Sequence, residues 1–465
     1  MILRRPSGLL SLLFFFSGTA ALGCQMVWVR MFAAGLGHEV QAMVAVAGAF
    51  LGGMAVGAWC LDGPISRSVR PGRWYGALQL ATGGWAAFSA VFLPPVNHLA
   101  LALLGPAPST LHHRLVLFAV PFLALLPATA AMGATLPAMD RFLSPLSVDG
   151  RCIGTLYAAN TLGAMSGTLA SAFVLMPSLG FRASLFCLAV TEVLCGAAAL
   201  GIDSFVAAGV ARLPIAGLKP GKRSTPVSPT DHRLRGNEAP LVAAPPVPEQ
   251  RGGGNGLPFW RSGFTIFFTG LLGIGFELAG IRVLAQVLEN TIYTYAAALA
   301  VYLAGTAMGA AFYQKFGPQR SFRPTLMYLL CAAAAACLVG TRLLTLTHPL
   351  YDFCREALGD GLGAVLLSEI AAAATVFGLP TVVMGATFSH LVQGARHQGG
   401  GVGRAGALNS LGCAVATGFV GLLLLPACGS KWTLTLISLA YLGLLPQLKG
   451  WGWGTLTLSV ALSLI

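Results

Sequence analysis

The chain has 465 residues, of which 56% are hydrophobic and 9% charged, with a mean hydropathy of +0.76. Soluble domains carry about 25% charged residues, so this composition excludes an ordinary water-soluble globule and makes a lipid bilayer the chain's main surroundings. The net charge of +13 does not point to nucleic acid, because the basic residues fall in short loops between apolar runs rather than on one face.

In chain order, Arg4 and Arg5 precede an apolar run from Leu9 to Met31. Ala20-Ala21-Leu22-Gly23-Cys24 loosely mimics a lipoprotein cleavage box, so a removable signal peptide is one reading. Two facts favour a transmembrane helix. The run continues past Cys24, and the segment recurs internally: Ser17-Gly18, Gly23, Gln25 and Arg30 match Thr269-Gly270, Gly275, Glu277 and Arg282 at a constant offset. Further spans are predicted near 42–61, 75–94, 115–137, 152–177 and 183–202. A Pro-, Gly- and basic-rich stretch follows, and the runs resume near 263–283, 292–313, 325–342, 363–387, 403–426 and 431–445. A last apolar segment, 451–465, is short for a full crossing.

The second half repeats the first. Met132-Gly133-Ala134-Thr135, Asn160-Thr161-Leu162-Gly163, Pro177 and Gly180 return as Met384-Gly385-Ala386-Thr387, Asn409-Ser410-Leu411-Gly412, Pro426 and Gly429. The expected fold is therefore an all-α polytopic membrane protein of two parallel six-helix repeats, major-facilitator-like, with 12 transmembrane helices and a possible short thirteenth. The halves are expected at 1–212 and 262–446, joined by a cytoplasmic linker over 213–261 and followed by the apolar tail 447–465. With the N-terminus in the cytoplasm, 21 of the 28 Lys and Arg lie on the inner side and 7 outside, the bias of a bacterial inner-membrane protein. Gly48, Gly52, Gly53 and Gly57 on the second helix, and Gly305 and Gly309 on the eighth, have the spacing that lets helices approach closely.

Ionisable groups inside lipid are costly and so mark function by default. The candidates are Glu192, Glu277 and Glu369, with Arg30 and Arg282 nearer the outer helix ends. The arginines either snorkel to headgroups or contribute to a site. Glu192 and Glu369 have no acidic counterpart in the other half. Asn160 and Asn409 either bond a neighbouring helix or meet a solute at the pseudo-symmetric centre. Thr135 and Thr387 are expected to bond local carbonyls, and Leu136-Pro137 to end its helix. The ten cysteines contain no CxxC pattern; Cys60, Cys187, Cys331 and Cys413 are expected to be small buried thiols. The histidines show no ligand spacing, so no metal site and no cofactor is expected.

Ser17-Gly18 through Gln25-x-x-Trp28-x-Arg30, the Met-Gly-Ala-Thr-Leu-Pro of 132–137 and the Leu-Tyr-Ala-Ala-Asn-Thr-Leu-Gly of 156–163 resemble the membrane region of the bacterial fused major facilitator/spermidine synthase family. The resemblance covers roughly 10–205 and 262–445. It implies a soluble aminopropyltransferase-like domain after the membrane region, whereas this chain runs to Ile465 without one. Gly252-Gly253-Gly254-Asn255-Gly256 looks like the synthase's nucleotide loop, yet it lies in the linker and not between a strand and a helix. No catalytic set is expected. Two functions stand: a secondary transporter of a small solute or amphiphile, or a scaffold subunit docking a separately encoded aminopropyltransferase-like or other partner protein. The interior lacks an acidic cluster suited to a polyamine.

Overall fold

The computed structural model describes residues 6–37, 39–105, 108–143, 152–211, 259–288, 292–317, 321–359, 361–397 and 401–445. Most of the expected linker, with its Gly252–Gly256 loop, and the tail 447–465 lie outside the described residues. The described residues contain helices and no strand. In lipid no water satisfies a free amide or carbonyl, so a chain this apolar crosses only as helix.

The first half holds α1 (Pro6–Leu36), α2 (Glu39–Arg67), α3 (Pro71–Leu104), α4 (Thr110–Leu143), α5 (Cys152–Ala170) and α6 (Met176–Ala211). The second holds α7 (Phe259–Val287), α8 (Ile292–Phe316), α9 (Phe322–Leu343), the short α10 (Thr347–Leu358), α11 (Leu362–His397), α12 (Val402–Gly418) and α13 (Leu425–Gly443). Ten helical runs among the described residues are long and apolar enough to cross a membrane. Two of these, Ala158–Phe205 and Val402–Gly443, are twice the needed length, and each is broken by a glycine with positive φ: Gly180 at +75° and Gly429 at +73°. Glycine alone adopts that conformation at no steric cost. The breaks turn ten runs into twelve spans, six per half. The first helix is a buried structural element, with Trp28 and Phe32 fully enclosed.

Packing repeats with the sequence. In the first half α1 packs on α5, α2 on α4 and α3 on α6; in the second, α7 packs on α12, α8 on α11 and α9 on α13. The halves meet along two seams, α2 with α12 and α5 with α8. Outward-facing Phe88, Leu123, Leu194 and Trp432 form part of an exposed apolar girdle, stable only against lipid.

The predicted glycines lie where helices nearly touch. A Cβ on Gly57 would collide with the Ala130 carbonyl, and one on Gly309 with that of Val382. Gly53 and Gly305 are pressed in the same way against Thr129 and Thr381. Gly48 instead faces Thr417 of α12 in the other half, and Gly52 lies between Phe122 of α4 and Ala414 of α12.

Several expectations need correction. Cys60 and Cys187 are exposed and Cys331 is half-buried, because in a bilayer an apolar run presents one side to lipid; Cys413 is buried. Leu136-Pro137 does not end α4, which continues to Leu143. A proline within a membrane helix is tolerated; Thr135 Oγ1 donates to the Met132 carbonyl at 2.6 Å, not to the Gly133 carbonyl that Pro137 leaves without its helical donor. Likewise α3 runs through Pro94 and Pro95 to Leu104, turning Leu99, Leu101 and Leu103 outward. The first helix of the second half, α7, begins at Phe259, within a few residues of the expected 262. The exposed helix α10 was not anticipated.

Replacing Gly57 or Gly309 by Ala is expected to cost ~1–3 kcal/mol through overpacking and to lower the midpoint of thermal unfolding in detergent. Gly84→Ala, with open space around its Cα, should leave the midpoint unchanged or raise it.

Candidate functional site

The halves enclose a cavity at mid-depth whose walls come from α1, α2, α5, α7, α8, α11, α12 and α13. Asn160 and Asn409 lie on it at pseudo-equivalent positions. Each sits at a tight crossing: a Cβ on Gly18 of α1 would strike the Asn160 carbonyl, and one on Gly270 of α7 the Asn409 carbonyl. The glycines thus draw both asparagines to the central axis, with their amides at the cavity wall.

Glu277 also lines this cavity, opposite its repeat partner Gln25. It is 5% exposed, and its Oε2 has no hydrogen-bond partner among the described residues. Tyr295 lines the same cavity as Glu277 and Gln25. Tyr302 reaches Met384 Sδ at 3.7 Å. The lining is otherwise aliphatic and aromatic, so the site offers a few amides, hydroxyls and one carboxyl in an apolar wall, the usual make-up of a small-molecule site.

A second cavity shares Met43, Leu278 and Tyr295 with the first and continues toward the ends carrying Arg30 and Arg282, both of which line it. A third shares Arg282 with the second and adds Gln41, His113 and Arg114. The cavities therefore form a series from the centre to this end.

At the opposite end the halves are closed. Asp62 of α2 is pressed against the start of α12, where a Cβ on Gly401 would lie 2.6 Å from its Oδ2, and it pairs with Arg404 at 4.0 Å. Asp140 of α4 pairs with Arg396 of α11 at 3.9 Å. Leu136 packs beside Gly406 at the same level. A carboxylate at a helix N-terminus also complements the helix dipole.

The structure thus brings Asn160, Asn409, Glu277, Arg30 and Arg282 to one series of cavities. Glu192 and Glu369 do not line it. Glu369 is buried in the second half, where its Oε1 accepts a hydrogen bond from Thr294 Oγ1 at 2.7 Å. Glu192 is enclosed by α1, α3 and α6. Thr135 and Thr387 bond the Met132 and Val383 carbonyls, as expected. Sequence reasoning missed Asp62 and Asp140, and counted Arg396 and Arg404 only within the inner-side Lys and Arg charge. It also missed His390, whose Nε2 donates to the Phe322 carbonyl at 2.9 Å while Nδ1 meets the Tyr313 hydroxyl at 2.8 Å. No cluster of metal-ligating side chains occurs among the described residues.

No family model matches the chain, and no curated protein matches it. Among solved structures, the crystal structure of a bacterial homologue of the iron transporter ferroportin, in an outward-facing state, is similar over 95% of this chain and 99% of its own, with a TM-score of 0.51 and 16% identity. That of a single-residue variant of the E. coli fucose:proton symporter FucP covers 95% of this chain and 97% of its own, with a TM-score of 0.46 and 13% identity. At that identity the likeness is one of fold. The chain is a multi-pass membrane protein with the major facilitator architecture.

The ion pairs at the closed end are partly exposed, so each contributes at most ~1 kcal/mol. Asp62→Asn is expected to speed maleimide labelling of a thiol placed by Leu136→Cys by about fivefold, in a background with the exposed native cysteines replaced. An unchanged rate would mean that Asp62 does not hold this end shut.

Proposed function

We propose that the protein is a secondary transporter that moves a small solute or amphiphile by alternating access. The observation that carries this reading is a central cavity walled by both halves, connected to one end by further cavities and barred at the other by contacts that all cross between the halves. Rocking one half against the other would break Asp62–Arg404 and Asp140–Arg396 while leaving the packing inside each half intact. Solute recognition falls to Asn160, Asn409, Gln25 and Glu277 at the centre, with Arg30 and Arg282 at the mouth.

The excess of Lys and Arg at the closed end supports a bacterial inner-membrane protein with a cytoplasmic N-terminus, and hence an outward-facing arrangement of the cavities. Kinship with the membrane region of the fused major facilitator/spermidine synthase family belongs to this proposal and rests on the motifs at 17–30, 132–137 and 156–163. The apolar wall, the single central carboxyl and the two arginines suit a solute with an extended apolar body better than a polycation.

The test follows distances and needs no knowledge of the solute. Spin labels placed at the exposed positions Val69 and Lys315, one on the closed end of each half, are expected to show one short distance in the parent chain. A second, longer distance should emerge when Asp62→Asn and Asp140→Asn are combined. A single unchanged distance in the double variant would sink alternating access and favour a static scaffold that docks a partner protein.

A further inference from the structure

Glu192 is fully buried, and neither carboxylate oxygen has a hydrogen-bond partner among the described residues. It projects from α6 where that helix crosses α3: a Cβ on Gly83 would lie 3.1 Å from the Cβ of Glu192, and one on Gly196, a turn further along α6, would lie 3.2 Å from that of Gln79. The seam between the two glycines is lined with further orphaned oxygens. Gln79 donates through Nε2 to Tyr75 Oη at 2.7 Å, which leaves its buried Oε1 without a partner. Thr82, three residues on along the same face of α3, is fully buried with its Oγ1 unpartnered. Ser171, at the head of a π-turn after α5, is also buried and unpartnered. Its Oγ meets Gly23 beside Leu188, one turn from Glu192.

These hydroxyls break the habit of the molecule. Thr129, Thr168, Thr381 and Ser368 are equally buried, and each donates to the carbonyl four residues earlier. Thr82 and Ser171 do not. We propose that Glu192, Gln79, Thr82 and Ser171 form a sodium-ion site inside the first six-helix half, separate from the central cavity.

A lone carboxylate in lipid must be neutralised. The titratable groups around it, Cys24, Tyr75 and Cys195, supply no positive charge, and the Cys195 thiol is engaged with the Leu13 carbonyl. A proton would supply one carboxylic O–H, enough for at most one of the unpartnered oxygens of Gln79, Thr82 and Ser171. A hard cation is coordinated by several oxygens at once, so it accounts for all four unpartnered groups together. One carboxylate balances one charge, so a divalent ion would leave an uncompensated positive charge in the bilayer. Neutral amide and hydroxyl oxygens complete a set suited to an alkali ion. Gly83 and Gly196 draw α3 and α6 close, which favours the smaller sodium over potassium. The second half lacks the site, since Tyr441 stands twelve residues after Gly429 where Glu192 stands twelve after Gly180. This inference concerns ion binding and does not depend on the transport reading.

The experiment is equilibrium binding of radioactive sodium to the purified full chain in detergent, with choline holding ionic strength and potassium as competitor. One saturable site per chain is expected, resistant to an equal concentration of potassium. Glu192→Gln should weaken it by about tenfold or more, Thr82→Val should weaken it less, and Glu369→Gln should leave it unchanged. Absence of saturable sodium binding in the parent chain overturns the proposal, including the case where Glu192 takes up only a proton. So does binding that survives Glu192→Gln. Should that variant fail to fold, unchanged affinity in Thr82→Val, which keeps the carboxylate, would overturn it equally.

Discussion

The structure depends on how closely helix backbones approach one another. Lipid tails are as apolar as leucine side chains, so burying leucine between helices yields little of the driving force that it gives in water. What remains is shape. Gly163 meets the Phe15 carbonyl and Gly412 that of Phe267; Gly133 meets Met54 and Gly385 meets Thr306. Each contact in the first half has its counterpart in the second, at nearly the same offset. A methyl group at any of these points would push two helices apart along their whole length. Each half is therefore locked into one arrangement of six rods.

The seams between the halves are of a different kind. Where α2 meets α12, the glycines Gly48, Gly52, Gly401 and Gly403 face the side chains of Thr417, Ala414 and Asp62 rather than backbone. Beyond them lie two long ion pairs with partly exposed members. Such pairs are worth a few tenths of a kcal/mol to ~1 kcal/mol, whereas prising apart a glycine crossing costs several contacts at once. A molecule built this way deforms between its halves before it deforms within one. The π-turns at Ser171–Leu175 and Phe419–Leu424 lie on the seam helices at equivalent positions. Turns of this type leave a local slackness in the hydrogen-bond ladder and recur at functional sites.

The fold was legible because its signals are long and repeated. Twenty apolar residues in a row, loop charge and a duplicated motif set each survive errors of several residues. Gly53, Gly57, Gly305 and Gly309 could be read as contact points because small residues at four-residue spacing have one dominant use in lipid. Asn160, Asn409 and Glu277 were legible as candidates for a related reason, since polar groups in apolar runs are expensive. The closed end was not legible. Asp62 and Asp140 stand next to loops, where charge is ordinary, and their partners come from the other half of the chain. No local pattern pairs residues that are more than 250 positions apart. Cys60 and Cys187 misled for a related reason: an apolar run indicates that a residue avoids water, without saying whether it meets protein or lipid.

The duplicated halves also act as an internal control. Where both keep the same residue, as with Arg30 and Arg282 or Asn160 and Asn409, one geometric requirement applied twice is a sufficient account. Departures from the repeat need another reason. Gln25 became Glu277 at one wall of the central cavity, and Tyr441 stands where the first half has Glu192. A carboxyl in lipid costs several times what an amide or phenol does, so neither carboxyl persists for packing alone. The two lie in different places, one facing the cavity and one enclosed behind α1. A charge facing the cavity can meet a solute, while one sealed inside a rigid half can answer only to something small enough to enter that half. The asymmetry thus divides the chemistry between the halves: the second supplies the carboxyl at the centre, and the first holds the carboxyl that an ion would have to reach.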